Sequence, residues 1–364
     1  MRYATVMAGG SGTRLWPMSR AGLPKQLIPF IRGRSLLEIA VDRLAGLVAP
    51  ERQFICTGEK HRRQILAAMP GLADDRILGE PQGRDTLAAV GFPAAVAMRD
   101  DPDAVMAVFT ADHLIEPIDD FQRRVEIGYR IAEQNPNTLV TFGIKPTHAA
   151  TGFGYVEMGE PLSGFDQAYR TVRFVEKPDR QTAEQYVASG RYAWNSGMFV
   201  WRADTLLQCI RRYKPDAHAD LMRIADAWGT PEQADVLEAV YPTLEKISVD
   251  FAVMEPASTD PAVEVATVSM PLRWLDVGSW PAYGETLEAD PSGNRTACNR
   301  VVLLDSSNNL VVGDDPDHLI AAVGIENLVV VHTREATLIC RRDHAEKIKQ
   351  LHQAIGEKFG DEYL

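Results

Sequence analysis

The sequence predicts an α/β protein: a Rossmann-like doubly wound mixed sheet, followed by a small β-rich, β-solenoid-like domain that ends in a helix. Three observations carry that prediction. A first apolar strand, Tyr3-Ala4-Thr5-Val6-Met7, runs straight into a glycine-rich turn, Gly9-Gly10-Ser11-Gly12. Short apolar strands then alternate with amphipathic helices, the rhythm of a sheet covered by helices. Beyond Asn294 the texture changes to short β-rich runs divided by turn residues, the pattern of a stacked or solenoidal β unit.

Strands are predicted over 3–7, 54–57, 77–79, 105–109 and 139–144. Between the first two, Ser35-Leu36-Leu37-Glu38 reads as a capping box. It opens a helix whose apolar positions Leu37, Val41, Leu44 and Val48 share one face. Residues 154–276 keep the α/β character with longer loops, on which a ligand pocket can be built, and they are read as part of the same domain. After Asn294 come Val301-Val302-Leu303-Leu304, Asn309-Leu310-Val311-Val312, Leu319-Ile320-Ala321-Ala322, Leu328-Val329-Val330-Val331 and Thr337-Leu338-Ile339-Cys340. A final helix carries Ala345, Ile348, Leu351, Ile355 and Phe359 on one stripe, expected to pack on that β unit. The expected division is a catalytic domain over 1–290 and a β-rich domain with its helix over 291–364.

The chain has 364 residues, 45% of them hydrophobic and 24% charged, with a formal net charge of -12. That is an ordinary globular composition with an acidic surface, long enough for about two domains. A polyanion is repelled by that average field, so nucleic acid is excluded as a partner, and any anionic ligand needs a local positive pocket. Cys56, Cys209, Cys298 and Cys340 lie far apart with no C-x-x-C pair, which argues against a zinc site or a disulfide framework and fits a reducing cytosol. No charged-then-apolar leader is present and no apolar run reaches the roughly 18 residues of a transmembrane helix. A cytoplasmic protein with no membrane partner is expected.

The glycine turn decides the chemistry. Its glycines let the backbone take positive φ and bring N–H groups close to phosphate oxygens. Arg14 then offers a forked contact to phosphate and Lys25 a compact point charge. A P-loop is excluded, because no Lys-Ser or Lys-Thr pair follows the glycines. A dinucleotide fold is excluded too, because the third glycine of its fingerprint is missing. What remains, Gly9-Gly10-Ser11-Gly12-Thr13-Arg14-Leu15 with Pro17 and Pro24-Lys25, resembles the opening signature of the sugar-1-phosphate nucleotidylyltransferases. The Trp16-Pro17-Met18-Ser19-Arg20 and Lys25-Gln26 variants resemble their mannose-1-phosphate guanylyltransferase branch.

The resemblance assigns roles residue by residue. Ala8, Gly9, Gly10, Gly12 and Thr13 match the nucleotide-binding loop. Glu80-Pro81-Gln82-Gly83-Arg84-Asp85-Thr86 resembles the family's E-P-x-x-R-N-T element near base and ribose, implicating Glu80, Arg84 and Asp85. Asp85 stands where Asn is usual; a carboxylate accepts but cannot donate, and capping a helix over 86–98 is preferred for it over a base contact. Asp112 follows the strand over 105–109, at the strand end where open α/β sheets bind ligands. Asp276 sits among apolar residues, where a carboxylate is costly unless paired or bound to metal. Both match the family's two Mg²⁺-binding aspartates, and His113 reads as a loop residue beside them. Phe174-Val175-Glu176-Lys177-Pro178 resembles the family's E-K-P element, with Glu176 on sugar hydroxyls and Lys177 on the sugar phosphate or the reacting α-phosphate. The two lie on opposite faces if the strand runs through them, or both at its mouth if it breaks earlier. Asn195, in Trp194-Asn195-Ser196-Gly197, matches the N-[ST]-G sugar element at a junction of loop and strand. Gly154 and Tyr155 match the G-[FY]-G-Y pocket segment.

The activity this implies is transfer of GMP from GTP to α-D-mannose 1-phosphate, giving GDP-mannose and pyrophosphate, with Mg²⁺ as cofactor and Arg14, Lys25 and Lys177 as the catalytic cations. The attacking phosphate is already anionic, so neither a general base nor a covalent intermediate is needed. Two other readings stand beside it: glucose 1-phosphate with dTTP or UTP as the substrate pair, and a non-catalytic GDP-mannose-binding regulator. The residues after Asn294 hold no histidine-rich metal motif, so no cupin-type isomerase domain is expected there. The resemblance also implies a homodimer, in which the β-rich tail serves self-association and not catalysis.

Overall fold

Strands β1 (Arg2–Met7), β2 (Gln53–Gly58), β3 (Ile77–Glu80) and β4 (Val105–Thr110) are buried along nearly their whole length. They read as continuous apolar runs because helices cover both faces of the sheet they form. The computed structural model describes residues 1–10 and 12–364; Ser11 of the glycine turn lies outside the described residues. Its contacts divide it into two compact units, Met1–Gly9 with Ala40–Ala111 and Ile115–Trp274, and Gly10–Ile39 with Asp112–Leu114 and Leu275–Leu364.

The chain continues through β5 (His113–Glu116), β6 (Thr138–Ile144), β7 (Tyr155–Pro161), β8 (Ala168–Val175), β9 (Tyr192–Arg202), β10 (Glu264–Ser269) and β11 (Arg273–Asp276). In the first unit nine strands form one sheet in the order β3-β2-β1-β4-β9-β6-β10-β8-β7. Strand β1 pairs in parallel with β2 and β4, whereas β9 runs antiparallel to both β4 and β6. The sheet is therefore mixed. The helices Asp85–Asp100, Ala203–Tyr213 and Pro215–Ala227 contribute Phe92, Leu207, Ile210 and Leu221 to one core. Helix Ile118–Gln134 lays Phe121 against Phe109 and donates the Tyr129 hydroxyl to the Tyr3 carbonyl at 2.6 Å.

In the second unit β12 (Arg295–Ala297), β14 (Leu310–Gly313) and β16 (Leu328–His332) stack in parallel, and β17 (Thr337–Arg341) closes that sheet antiparallel to β16. Between them β13 (Arg300–Leu304) and β15 (Leu319–Val323) form a parallel pair. Stacked polar corners set the register. Buried Asn294 accepts from the Asn309 backbone and side-chain amides, and Asn309 in turn accepts from the Leu328 N–H at 2.9 Å. Each turn of the stack thereby satisfies its neighbour's buried polar groups.

The two units are not separated by a cut at residue 290. Leu15, Trp16, Ile28, Phe30 and Leu36 share one core with Val277, Trp280, Leu310, Val329, Leu338 and Ile348. An apolar run following a glycine loop must bury its side chains somewhere, and here it does so against the β-rich strands. The Ser35–Glu38 capping box forms in both directions, at 2.7 and 3.2 Å. Its helix, Leu36–Asp42, is shorter than the apolar periodicity predicts. Leu44 and Val48 are buried beyond its end, and Gly46 adopts φ +84° in the turn that follows. The final helix, Ile348–Phe359, buries only the start of its stripe: Ala345 and Ile348 are covered, Ile355 is partly covered, and Leu351 and Phe359 are exposed.

Trp280 is fully buried, packs edge-on to Phe30 and Tyr283, and donates its indole N–H to the Trp16 carbonyl at 2.9 Å. Trp280→Ala is expected to cost about 3–5 kcal/mol, seen as a lowered midpoint of urea unfolding.

Candidate active site

Two clusters of side chains gather the residues that the sequence singles out. The first lies in the second unit, around the glycine turn. Gly10 and Gly12 adopt φ of +106° and +61°, and a Cβ on Gly12 would stand 2.5 Å from Ser19 Oγ and 2.8 Å from Lys25 Cβ. Only glycine fits there. Gly12 leads into the short 3-10 turn Thr13–Leu15, which carries Arg14. Lys25, on a second such turn, donates to Asp112 Oδ2 at 2.5 Å. Gly278 keeps the far side open, since a Cβ there would lie 3.0 Å from Asp276 Oδ1 and 3.2 Å from Arg14 Nη2.

Burial and charge compete at these groups. Burial works against the Lys25 ammonium, but Asp112 and Asp276 outweigh it and raise its pKa. Burial likewise works against the Asp112 carboxylate, yet Lys25 and His113 hold it well below the usual carboxylate range. Burial and then the charge of Asp112 push Asp276 up to about 6, against Lys25 and Arg14. Two acids near one another in a poorly solvated place favour a cation.

Asp112, His113 and Asp276 each offer a ligand atom, all within 4.8 Å of one another. Asp276 Oδ1 is shielded from solvent and has no hydrogen-bond partner among the described residues. An orphaned acceptor beside a second carboxylate and an imidazole is a donor set suited to a divalent cation. His113 belongs to this cluster as the buried first residue of β5, which corrects its reading as a loop residue.

The second cluster lies in the first unit. Strand β8 ends at Val175, so Glu176 and Lys177 sit together at its mouth, paired at 2.7 Å. Glu176 is nearly covered, its side chain 5% exposed, while that of Lys177 is 53% exposed. A Cβ on Gly154 would lie 2.5 Å from Glu176 Oε2, so the glycine makes room for the carboxylate. Asn195 stands within the continuous strand β9 and not at a junction of loop and strand; Gly197, at φ +70°, bends the strand just after it. Its side-chain oxygen accepts from Thr141 Oγ1 at 2.7 Å and its amide donates to Asp250 Oδ1 at 2.8 Å.

The same unit holds the motif over residues 80–86. Glu80 ends β3, buried, and accepts from the Tyr241 hydroxyl at 2.7 Å; burial raises its pKa, against that bond. Ala8 accepts from the Thr57 hydroxyl at 3.0 Å, and a Cβ on Gly9 would lie 3.5 Å from Glu80 Oε2.

A nucleotidyl transferase family model matches residues 3–292, and a mannose-phosphate isomerase/GMP-like β-helix domain matches residues 299–354. The chain belongs to the nucleotidyl transferase family. A mannose-1-phosphate guanylyltransferase of Klebsiella pneumoniae is 35% identical over 367 residues, covering 100% of this chain and 76% of its own length. The xanthan biosynthesis protein XanB of Xanthomonas campestris pv. campestris is 37% identical over 356 residues, covering 95% of this chain and 71% of its own. Among solved structures, a Thermus thermophilus protein described as a mannose-1-phosphate geranyltransferase superposes with TM-score 0.84 at 33% identity, covering 97% of this chain and 99% of its own.

Within this nucleotidyl transferase three of the expected side chains have partners inside the fold. Tyr155 is fully buried, donates its hydroxyl to the Ala150 carbonyl at 2.8 Å and packs on the Tyr186 ring. Arg84 donates to the Pro242 carbonyl and to Gln82. Asp85 is the first residue of helix Asp85–Asp100 at φ +66°, its carboxylate accepting from the adjacent Thr86 N–H at 2.8 Å. It does not reach the second or third helical N–H as a cap would.

Three residues with no motif complete the clusters. Glu346 accepts from Arg14 Nη1 on both oxygens at 3.1 Å. Thr141 orients Asn195, and Asp250 receives its amide. Burial, then the charge of Glu176, push Asp250 up to about 7, against Lys177 and Asn195. An unfolded aspartate loses its proton near about pH 4, so between that pH and about 7 the folded state binds the extra proton. Asp250 therefore stabilises most below about pH 4, and that contribution falls as pH rises towards about 7. Asp250→Asn is expected to flatten this decline, read from urea midpoints at about pH 5 and about pH 7.5.

Proposed function

We propose that this nucleotidyl transferase transfers GMP from GTP to α-D-mannose 1-phosphate, releasing GDP-mannose and pyrophosphate. The observation that carries the reading is the glycine turn bearing Arg14 and Lys25 beside Asp112 and Asp276, in a chain aligned along its whole length with a guanylyltransferase acting on mannose 1-phosphate. An oxygen of the sugar phosphate attacks the α-phosphorus of GTP; that P–O bond forms as the bond to the bridging oxygen of the leaving pyrophosphate breaks. The attacking group is already an anion, so no side chain has to remove a proton.

In this reading Gly10, Gly12 and Thr13 present backbone N–H groups to the phosphates, with Ala8 and Gly9 leading into them. Glu80, Arg84 and Asp85 serve the base and ribose. Gly154, Glu176 and Asn195 serve the sugar, and Lys177 its phosphate. Mg²⁺, held by Asp112 and Asp276, would neutralise charge on the phosphates. Arg14 and Lys25 do the same from fixed positions, so the protein reorganises little as charge moves to the leaving group. Lys25 is paired with Asp112 at 2.5 Å before any substrate arrives, which keeps it charged and aimed.

A matrix assay of pyrophosphate release, across nucleoside triphosphates and sugar 1-phosphates, tests the reading. GTP with mannose 1-phosphate is expected to give the highest kcat/KM; a preference for glucose 1-phosphate with dTTP or UTP, or binding of GDP-mannose without turnover, overturns it. Lys25→Ala and Arg14→Ala are each expected to lower kcat/KM more than tenfold with sugar preference unchanged.

The setting belongs to the same proposal. A cytoplasmic location fits four unpaired cysteines, and among the described residues no helix is long and apolar enough to cross a membrane. A homodimer fits the β13–β15 pair, whose register puts Val302, Leu304, Leu319 and Val323 on one face at 55–68% exposure. The tail also packs with Leu15 and Trp16, so removing it would unpack the glycine turn. Leu304→Glu with Val323→Glu is the cleaner probe: sedimentation is expected to shift from dimer to monomer with kcat retained.

A further inference from the structure

The amide of Asn195 is spoken for. Its oxygen accepts from Thr141 Oγ1 at 2.7 Å and from the Gly197 N–H at 3.3 Å, and its nitrogen donates to Asp250 Oδ1 at 2.8 Å. The side chain is buried to 7% exposure. An amide oxygen has two lone pairs, so Asn195 has no acceptor left for a sugar hydroxyl and only one remaining N–H. The group it presents forward is Asp250.

Asp250 is held where such a group is needed. It opens a π-helical turn, Asp250–Met254, a rare widening of the helix that recurs at functional positions. The stretch of chain before it is bolted to the start of helix Asp85–Asp100: the Val249 N–H donates to Thr86 Oγ1 at 2.9 Å and the Leu87 N–H to the Ile247 carbonyl at 3.1 Å. Asp250 stays partly accessible to solvent while Val249, Ala252, Val253 and Met254 around it are buried. Glu176 acts on it electrostatically, and Lys177 faces both acids.

We infer that Asp250 is a substrate-contacting, specificity-determining residue: Asp250 and Glu176 together take hydrogen bonds from two hydroxyl groups of the sugar 1-phosphate, and Asn195 is the positioning residue that aims Asp250. This rests on the sugar-directed role proposed for Glu176. Two carboxyl groups brought together without a bound partner repel one another unless one keeps its proton. A pair of sugar hydroxyls offers two O–H donors to the two acids and an oxygen acceptor for the retained proton.

The test compares wild type, Asp250→Asn and Thr141→Val by steady-state KM for mannose 1-phosphate and for GTP, with calorimetric binding of GDP-mannose and of GDP. Asp250→Asn keeps the shape of the side chain and loses the acceptor. It is expected to raise the KM for mannose 1-phosphate at least tenfold and weaken GDP-mannose binding to match, with KM for GTP and binding of GDP within twofold of wild type. Thr141→Val, which removes the anchor of Asn195 and a longer contact to the Met198 carbonyl at 3.4 Å, is expected to raise the sugar KM by a smaller factor. A sugar KM and GDP-mannose affinity within twofold of wild type in Asp250→Asn overturns the inference, as does a larger effect from Thr141→Val, which would make Asn195 the reader. A parallel loss of GDP binding makes Asp250 structural and overturns it too. Wild-type protein that neither turns over mannose 1-phosphate with GTP nor binds GDP-mannose defeats the functional reading instead, and with it the inference.

Discussion

A largely covered lysine between two aspartates is the interaction on which the cluster around the glycine turn depends. Asp112 and Asp276 repel each other, and burial makes that repulsion more costly. Lys25 resolves half of the problem by pairing with Asp112 at 2.5 Å. Asp276 Oδ1 is left without a partner among the described residues, and its proton is held up to about 6. The cluster is thus one cation short of balance. That shortage suits it to the divalent ion proposed for it, whereas a fully paired network of the same residues would only add rigidity.

The sugar-directed cluster follows a different logic. Its groups are satisfied through one another in a chain, Thr141 to Asn195 to Asp250, with Glu176 held by Lys177. Such a chain fixes orientation before a ligand binds, which lowers the ordering cost of recognition. In the inference drawn for Asp250, it also passes recognition from the residue that a motif names to the residue at the end of the chain. A motif marks where a family places chemistry; the hydrogen bonds decide which atom does it.

Much of this was legible in the sequence, and for identifiable reasons. Strands β1 to β4 and the runs after Asn294 were readable because apolar periodicity and turn residues are local signals. The grouping of Arg14, Lys25, Asp112 and Asp276 was readable because each belongs to a recognisable motif. Asp250 was not. It lies in Ser248-Val249-Asp250-Phe251, with no glycine and no paired charge to mark it, and its partner Asn195 is 55 residues away. The saturation of Asn195 was equally hidden, since Thr141 lies on another strand 54 residues earlier. The short Leu36–Asp42 helix failed the periodicity because Leu44 and Val48 are buried without being helical. Burial alone mimics an amphipathic stripe.

The role of the β-rich tail changes most between sequence and structure. A glycine loop that cradles phosphate loses more backbone entropy on ordering than any other segment, and the loop itself has few side chains with which to offset that cost. Trp16 supplies an anchor, its carbonyl receiving the Trp280 N–H at 2.9 Å and its own indole N–H donating to the Tyr363 carbonyl at 2.7 Å. Arg20 adds a second, donating to Thr333 Oγ1 and pairing with Glu335, both at 2.7 Å. Each of these partners lies after residue 279. The segment that looked like an assembly module is therefore also the frame of the segment that follows the glycine turn. In the proposed reaction, where charge is stabilised by donors that must not move, fixing that loop bears on rate as directly as the cations it carries.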